Sequence, residues 1–123
     1  MVNLGAAIFR YVEWLLVWLL EIRALEFNWD SVNWNKNAIK HGVSRIEIEE
    51  IFRLGMGLPL GMQIQPFIGE MRFAIVGPTY QNRVLTVVFT LRDGKIRPIS
   101  TRPAHRKERI RYEEILSEIA QSV

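Results

Sequence analysis

The chain has 123 residues, 49% of them hydrophobic and 24% charged, the size and balance of one domain with a single core. It has no cysteine, and His41 and His105 are its only histidines, which excludes a disulfide framework and a thiolate zinc site and leaves no metal-ligand spacing. The expectation is a cytoplasmic protein without metal or cofactor. The net charge of +3 is localised: residues 1–91 balance eight Lys/Arg against eight Asp/Glu, residues 92–111 carry eight basic and two acidic side chains, and residues 112–123 carry three glutamates. Such a local excess favours a phosphate-rich partner and says nothing by itself about catalysis.

The opening, "LGAAIFRYVEWLLVWLLEIRALEF", reads as one apolar helix. Its uncharged run from Trp14 to Leu20 is far shorter than the roughly 20 residues needed to cross a bilayer. It also lacks the basic start and small-residue cleavage site of an export signal. Arg10, Glu13, Val17 and Glu21 recur at helical spacing and leave a narrow polar stripe. The broad apolar remainder must be covered by the rest of the domain, by a second copy or by a membrane interface.

Two short helices follow. Asp30 is a good N-cap for the first, and Gly42 ends it, with Lys40 and His41 in the last turn. Ser44 with Glu47 forms a capping box for the second, whose Ile48, Ile51 and Phe52 form an inward stripe. From Leu58 the period changes, and "LPLGMQIQ", "EMRFAIVG", "RVLTVVFTL" and "KIRPIS" read as four strands. Asp93-Gly94 predicts a two-residue hairpin turn between the last two.

That turn sets a register in which Thr90 opposes Arg97, Phe89 opposes Pro98, Val88 opposes Ile99 and Val87 opposes Ser100. Leu85, Val87, Phe89, Leu91 and Ile96 then face the core. Thr86, Thr90, Arg92, Lys95, Arg97 and Thr101 form a polar, basic surface, and Arg102 falls opposite Leu85 on the core side. Pro103 ends the strand, and "AHRKERIRYEEILSEIAQ" is a helix with Tyr112, Ile115, Leu116 and Ile119 on one side. The expected class is α+β, with N-terminal helices, a four-stranded antiparallel sheet and a C-terminal helix.

Serine and thiol mechanisms find little support, since there is no cysteine and Ser100 sits in a strand without a nucleophile elbow. The glycines at 55, 57 and 61 lack the lysine and hydroxyl of a phosphate loop. What remains is phosphate chemistry carried by arginine, whose rigid fork of donors matches phosphate oxygens. Metal-free RNA cleavage uses the ribose 2′-hydroxyl as nucleophile, so the protein supplies a base, an acid and charge-stabilising donors. Each candidate also has a plainer reading. Lys40 and His41 suit a helix end, and His105 with Glu108 suits an imperfect capping box. Arg106, Lys107, Arg109 and Arg111 suit a solvated face partnered by Glu113 and Glu114.

Three stretches, taken in order, resemble the BrnT family of toxins from type II toxin–antitoxin systems: "FNWD" through "NAIKHGVS", "GEMRFAIVG" followed by "RVLTVVFT", and "IRPISTRPAHRKERIRYEE". The resemblance covers about residues 27–115. It implies a RelE-like fold, a ribonuclease that inhibits translation, RNA as the bound partner, and neutralisation by a cognate BrnA-type antitoxin. A homodimer or a toxin–antitoxin heterotetramer is the assembly it suggests. Carried to matching positions, it points to Arg97 and Arg72 as phosphate stabilisers, to His41 or Glu70 for proton transfer, and to Lys40, Ser100, Arg102, Arg106 and Arg109 for RNA binding. Asn33 stands where the family commonly has lysine, which keeps open an alternative: a catalytically inactive binding module of the same fold. Residues 1–26 lie ahead of the toxin-like domain, 27–123. A true extension predicts an ordered helix packed on the domain or a partner, and upstream sequence from an early start codon predicts a poorly packed one.

Overall fold

The computed structural model describes residues 2–4, 7–21, 26–29, 34, 41–67 and 69–121. The elements are β1 (Val2–Leu4), β2 (Ala7–Arg10), α1 (Glu13–Glu21), α2 (Arg45–Leu54), β3 (Leu58–Gln65), β4 (Phe73–Pro78), β5 (Val84–Arg92), β6 (Lys95–Pro103) and α3 (Arg106–Gln121). The six strands form one antiparallel sheet in chain order, and the class is α+β. Most of the first short helix, Asp30, Asn33 and Lys40 among it, lies outside the described residues.

Two strands more than expected come from residues 2–10, where the apolar period had suggested helix. Long-range pairing decides the matter, as it often does for strands. Phe9 pairs with Gln63 and Arg10 with Met62 of β3. The approach is close at Gly61, which sits at φ +137, and a Cβ there would strike the Arg10 carbonyl. Among the described residues of the predicted helix, Glu13–Glu21 is helical. In α1 the expected stripe of Glu13, Val17 and Glu21 is exposed, and Leu15 is fully buried. Among the described residues no helix is long and apolar enough to cross a membrane.

The Ser44–Glu47 capping box forms with both of its hydrogen bonds. Gly55, at φ +71, stops α2. Its buried Ile48, Ile51 and Phe52 meet one face of the sheet, where Phe73, Ile75, Leu85, Val87, Phe89 and Ile96 form the main core. α1 closes that core with Trp14 edge-on to Phe73 at 5.2 Å and Trp18 stacked on Phe89 at 6.0 Å. A second core on the opposite face joins Phe9, Leu58, Leu60, Ala74 and Val76 to Ala104 and Tyr112, with Leu4, Ala7, Val84 and Val88 packed around it. Both the C-terminal helix and the β1–β2 hairpin therefore lie over this second face.

The Asp93-Gly94 turn has both residues at positive φ, 54 and 74, as a two-residue hairpin requires. Pairing runs as expected from Arg92–Lys95 to Phe89–Pro98 and then shifts: Val88 opposes Ser100, Val87 opposes Thr101 and Thr86 opposes Arg102. Ile99 is the extra residue of a β-bulge. The bulge corrects the sequence register for the residues that follow it. Ser100, expected opposite the core-facing Val87, and Arg102, expected opposite Leu85, both leave the core side and join Arg97 on the second face, while Thr101 moves to the core side, 2% exposed. The second face is also not an open polar surface, since Thr86 and Thr90 are buried. Residues 26–28 run beside the outer edge of β6: Ile96 N–H donates to the Glu26 carbonyl at 2.9 Å, and Asn28 N–H donates to the Ile96 carbonyl at 2.8 Å.

Candidate active site

Where α3 does not cover the second face, two hollows lie side by side. One, of about 240 Å³, is lined by Leu4, His41, Thr86, Val88, Ser100, Thr101, Arg102 and His105. The other, of about 320 Å³, is lined by Leu4, Ala7, Phe9, Gln63, Pro66, Arg72, Val88 and Ser100. Leu4, Val88 and Ser100 border both, so the two are lobes of one cleft with Ser100 at the junction. The chain's two histidines, far apart in sequence, sit on the same lobe.

Local structure explains how each is placed. His41 precedes Gly42, whose φ of +63 turns the chain away from the helix end. Arg83, at the start of β5, holds that corner: its Nη1 donates to the Gly42 carbonyl at 2.9 Å and its Nη2 to the His41 carbonyl at 3.5 Å. The same guanidinium reaches Glu47 at 3.0 Å. Burial pushes the Glu47 carboxyl up, but the Ser44 N–H, the Ser44 hydroxyl and Arg83 outweigh it and hold it below its ordinary value. The corner that carries His41 is thus tied to the first turn of α2.

His105 occupies the N-cap position of α3, and its backbone N–H donates to Glu108 Oε1 at 2.8 Å, half of a capping box. Glu108 is 9% exposed and is the hub of this end of the cleft. It also accepts from the Thr86 hydroxyl at 2.9 Å and from both terminal nitrogens of Arg102 at 2.7 Å. Burial alone would raise its pKa; Arg102, the His105 N–H and Thr86 together bring it below the usual carboxylate range. This network locks α3 onto β6, and it commits the Arg102 guanidinium to an internal partner.

At the other lobe, Glu70 pairs with Arg72 Nε at 3.2 Å and with Arg92 at 3.7 Å. Glu70 therefore orients Arg72, whose terminal nitrogens have no ion-pair partner among the described residues. Arg97 shares the second face with Ser100 but lines neither lobe, and its Nη1 donates to Asn28 Oδ1 at 3.1 Å. Arg106 and Arg109 are exposed on α3 outside the cleft, and Lys40 lies outside the described residues. Of the residues singled out from sequence, the fold brings together His41, Ser100, Arg102 and Arg72.

Thr86, Val88, Leu4 and the positioning residue Arg83 did not stand out as site residues, and His105 stood out only as a candidate with an imperfect capping box for its plainer reading. A signal for His105 existed in its rarity: a chain with two histidines that borders a basic stretch with one of them invites the question of where the other lies. A further hollow of about 410 Å³, between Tyr11, Leu16, Leu58, Leu60, Ile115 and Ile119 with Arg111 at its side, is mainly apolar and holds neither histidine nor carboxylate.

The family model described as "Ribonuclease toxin, BrnT, of type II toxin-antitoxin system" matches residues 29–108. Among solved structures, the 1.1 Å crystal structure of the Brucella abortus ribonuclease toxin BrnT is similar in fold, with a TM-score of 0.50 at 19% identity over 68% of this chain and all of that one. No curated protein matches.

Proposed function

The chain belongs to the BrnT family of ribonuclease toxins of type II toxin–antitoxin systems, and from that premise we propose that it is a cytoplasmic, metal-independent endoribonuclease that acts at the cleft around Ser100. The observation that carries this reading is the placement of both histidines, Ser100 and Arg102 on one cavity. Imidazole is the side chain that exchanges a proton near neutral pH. One histidine takes the proton of a ribose 2′-hydroxyl as that oxygen attacks the adjacent phosphorus. The other gives a proton to the departing 5′-oxygen, leaving a 2′,3′-cyclic phosphate and a free 5′-hydroxyl. Charge gathering on the phosphate falls to the Ser100 hydroxyl and to Arg72, with Glu70 as its positioning residue. Arg102 serves mainly to hold Glu108 and so the His105 corner, while Arg97, Arg106 and Arg109 contribute positive field outside the cleft. Translation stops because RNA is cut, and a BrnA-type antitoxin neutralises the toxin.

A second reading is favoured by one specific feature. Two arginines on the second face are engaged internally, Arg102 by Glu108 and Arg97 by Asn28, as suits a binding module that no longer cleaves. Incubation of purified protein with RNA in EDTA separates the two. Cleavage by wild type to cyclic-phosphate ends, lost in both His41→Ala and His105→Ala, supports the enzyme. Intact RNA with wild type, together with no growth arrest on expression without the neighbouring gene, leaves the binding module. Cleavage that survives both histidine changes sinks the assignment of the acid and base.

A further inference from the structure

The lobe beside Arg72 differs in chemistry from the histidine lobe. Its walls are Leu4, Ala7, Phe9, Pro66 and Val88, with Gln63, Arg72 and Ser100 as the polar members. Leu4, Ala7 and Phe9 belong to the β1–β2 hairpin, which precedes the part of the chain matched by the family. Immediately after Pro66 comes Phe67, 76% exposed, the most exposed of the large apolar side chains among the described residues. The strand end before it is anchored, since Gln63 Nε2 donates to the Pro66 carbonyl at 2.7 Å. On the β4 side, the buried Thr90 hydroxyl donates to the Met71 carbonyl at 2.7 Å, just before Arg72.

An apolar-walled hollow of about 320 Å³, a polar edge and an exposed aromatic residue next in the chain to its Pro66 wall are the parts from which single-stranded nucleic-acid sites are built, with the ring as a stacking platform for a base and arginine for the backbone. Ser100 ties this lobe directly to the histidine lobe. We infer that the hairpin lobe is a nucleobase subsite, which seats the base of a nucleotide whose phosphate lies at Ser100 and Arg72, with Phe67 stacking on that base. The inference rests on the ribonuclease reading for its substrate class, but its readout is binding. The hairpin then supplies sequence preference: the wall formed by Leu4 and Ala7 sets the room for the base, and Gln63, its Nε2 already donating to the Pro66 carbonyl, reads the base edge through its amide oxygen.

The test titrates the four nucleoside 3′-monophosphates and ribose 5-phosphate into the full chain, followed by backbone amide NMR shifts. At least one nucleotide is expected to bind about tenfold more tightly than ribose 5-phosphate, in line with what base stacking on an aromatic ring provides. Shifts should centre on Ala7, Gln63 and Ser100. In Phe67→Ala, and separately in Ala7→Phe, which fills the lobe, the margin over ribose 5-phosphate should shrink below about threefold. Equal binding of nucleotides and ribose 5-phosphate, absence of nucleotide binding, or a margin unchanged in both variants overturns the subsite. Phe67 is exposed enough that its truncation leaves the core intact. A protein that binds nucleotides in this pattern but leaves RNA uncut defeats the catalytic proposal alone, and one that cuts RNA without base discrimination defeats the subsite alone.

Discussion

Under α1 and α2 the sheet is almost wholly apolar, and Phe73, Ile75, Leu85, Val87, Phe89 and Ile96 are all at most 2% exposed. Under α3 the opposite face changes character along the strands, from Ala74 and Val76 against Tyr112 to Thr86, Ser100 and Arg102 against Glu108 and the open cleft. Both faces carry buried side chains, but the first holds hydrocarbon apart from the Thr101 hydroxyl, which donates to the Thr86 carbonyl at 3.2 Å, while the other keeps a charged pair in place. The difference shows where this small domain puts its stability and where it places groups that are costly to bury.

Substitutions can test that division, and the first face gives the largest expected effect. Phe89→Ala removes a ring at 0% exposure that touches Phe52, Phe73 and Trp18. It should cost about 3–5 kcal/mol in a denaturant titration. A loss under about 1 kcal/mol would mean that the apolar face is not the main source of stability. His41→Ala should do the reverse, lowering RNA cleavage by about 100-fold or more while the unfolding midpoint moves little, because Arg83 holds the backbone carbonyls and not the ring.

Glu108→Gln tests the charged part of the second face. It should cost about 2 kcal/mol, since it leaves Arg102 without its counter-charge while keeping a polar group in place. The pH dependence has a definite sign. The folded-state pKa of Glu108 is lowered, so its contribution is fully present above the unfolded carboxylate value and is lost as pH falls through the lower folded value. Thermal unfolding followed from pH 7 into the acid range should show a shallower loss of stability in Glu108→Gln than in wild type. The smallest effect belongs to Arg109→Ala, exposed and outside both lobes. Its stability should stay within about 0.5 kcal/mol of wild type, and a strong loss of cleavage would move the RNA path onto the helix face.

Much of this was legible in the residues. The capping box at Ser44, the strand Leu58–Gln65, the tight turn at Asp93-Gly94 and the C-terminal helix follow from local chemistry that the fold leaves in force. The inner face Leu85, Val87 and Phe89 followed from alternation alone. Residues 2–10 read as helix because what fixes them as strands is the pairing of β2 with β3, more than fifty residues away, onto which β1 adds as a local hairpin, and periodicity sees only neighbours. The cleft was half visible. Ser100, Arg102, His41 and Arg72 were named, but nothing local indicates that Leu4 would reach Ser100 or that His105 would share a cavity with His41. Arg97, prominent in sequence, is held by Asn28 from a segment that runs beside the sheet edge.

The bulge at Ile99 means that β6 is written in two reading frames. Before it, odd-numbered positions such as Arg97 point toward the cleft side; after it, even-numbered positions such as Ser100 and Arg102 do. Any graft, alignment or alternate-residue scan that counts straight through the strand will swap inside for outside halfway along. A shortened chain lacking Ile99 restores a single frame without changing which face Ser100 and Arg102 occupy. The extra residue therefore does not choose the face of the site; it sets the spacing between the anchored Arg97 and the hydroxyl on which the two lobes meet.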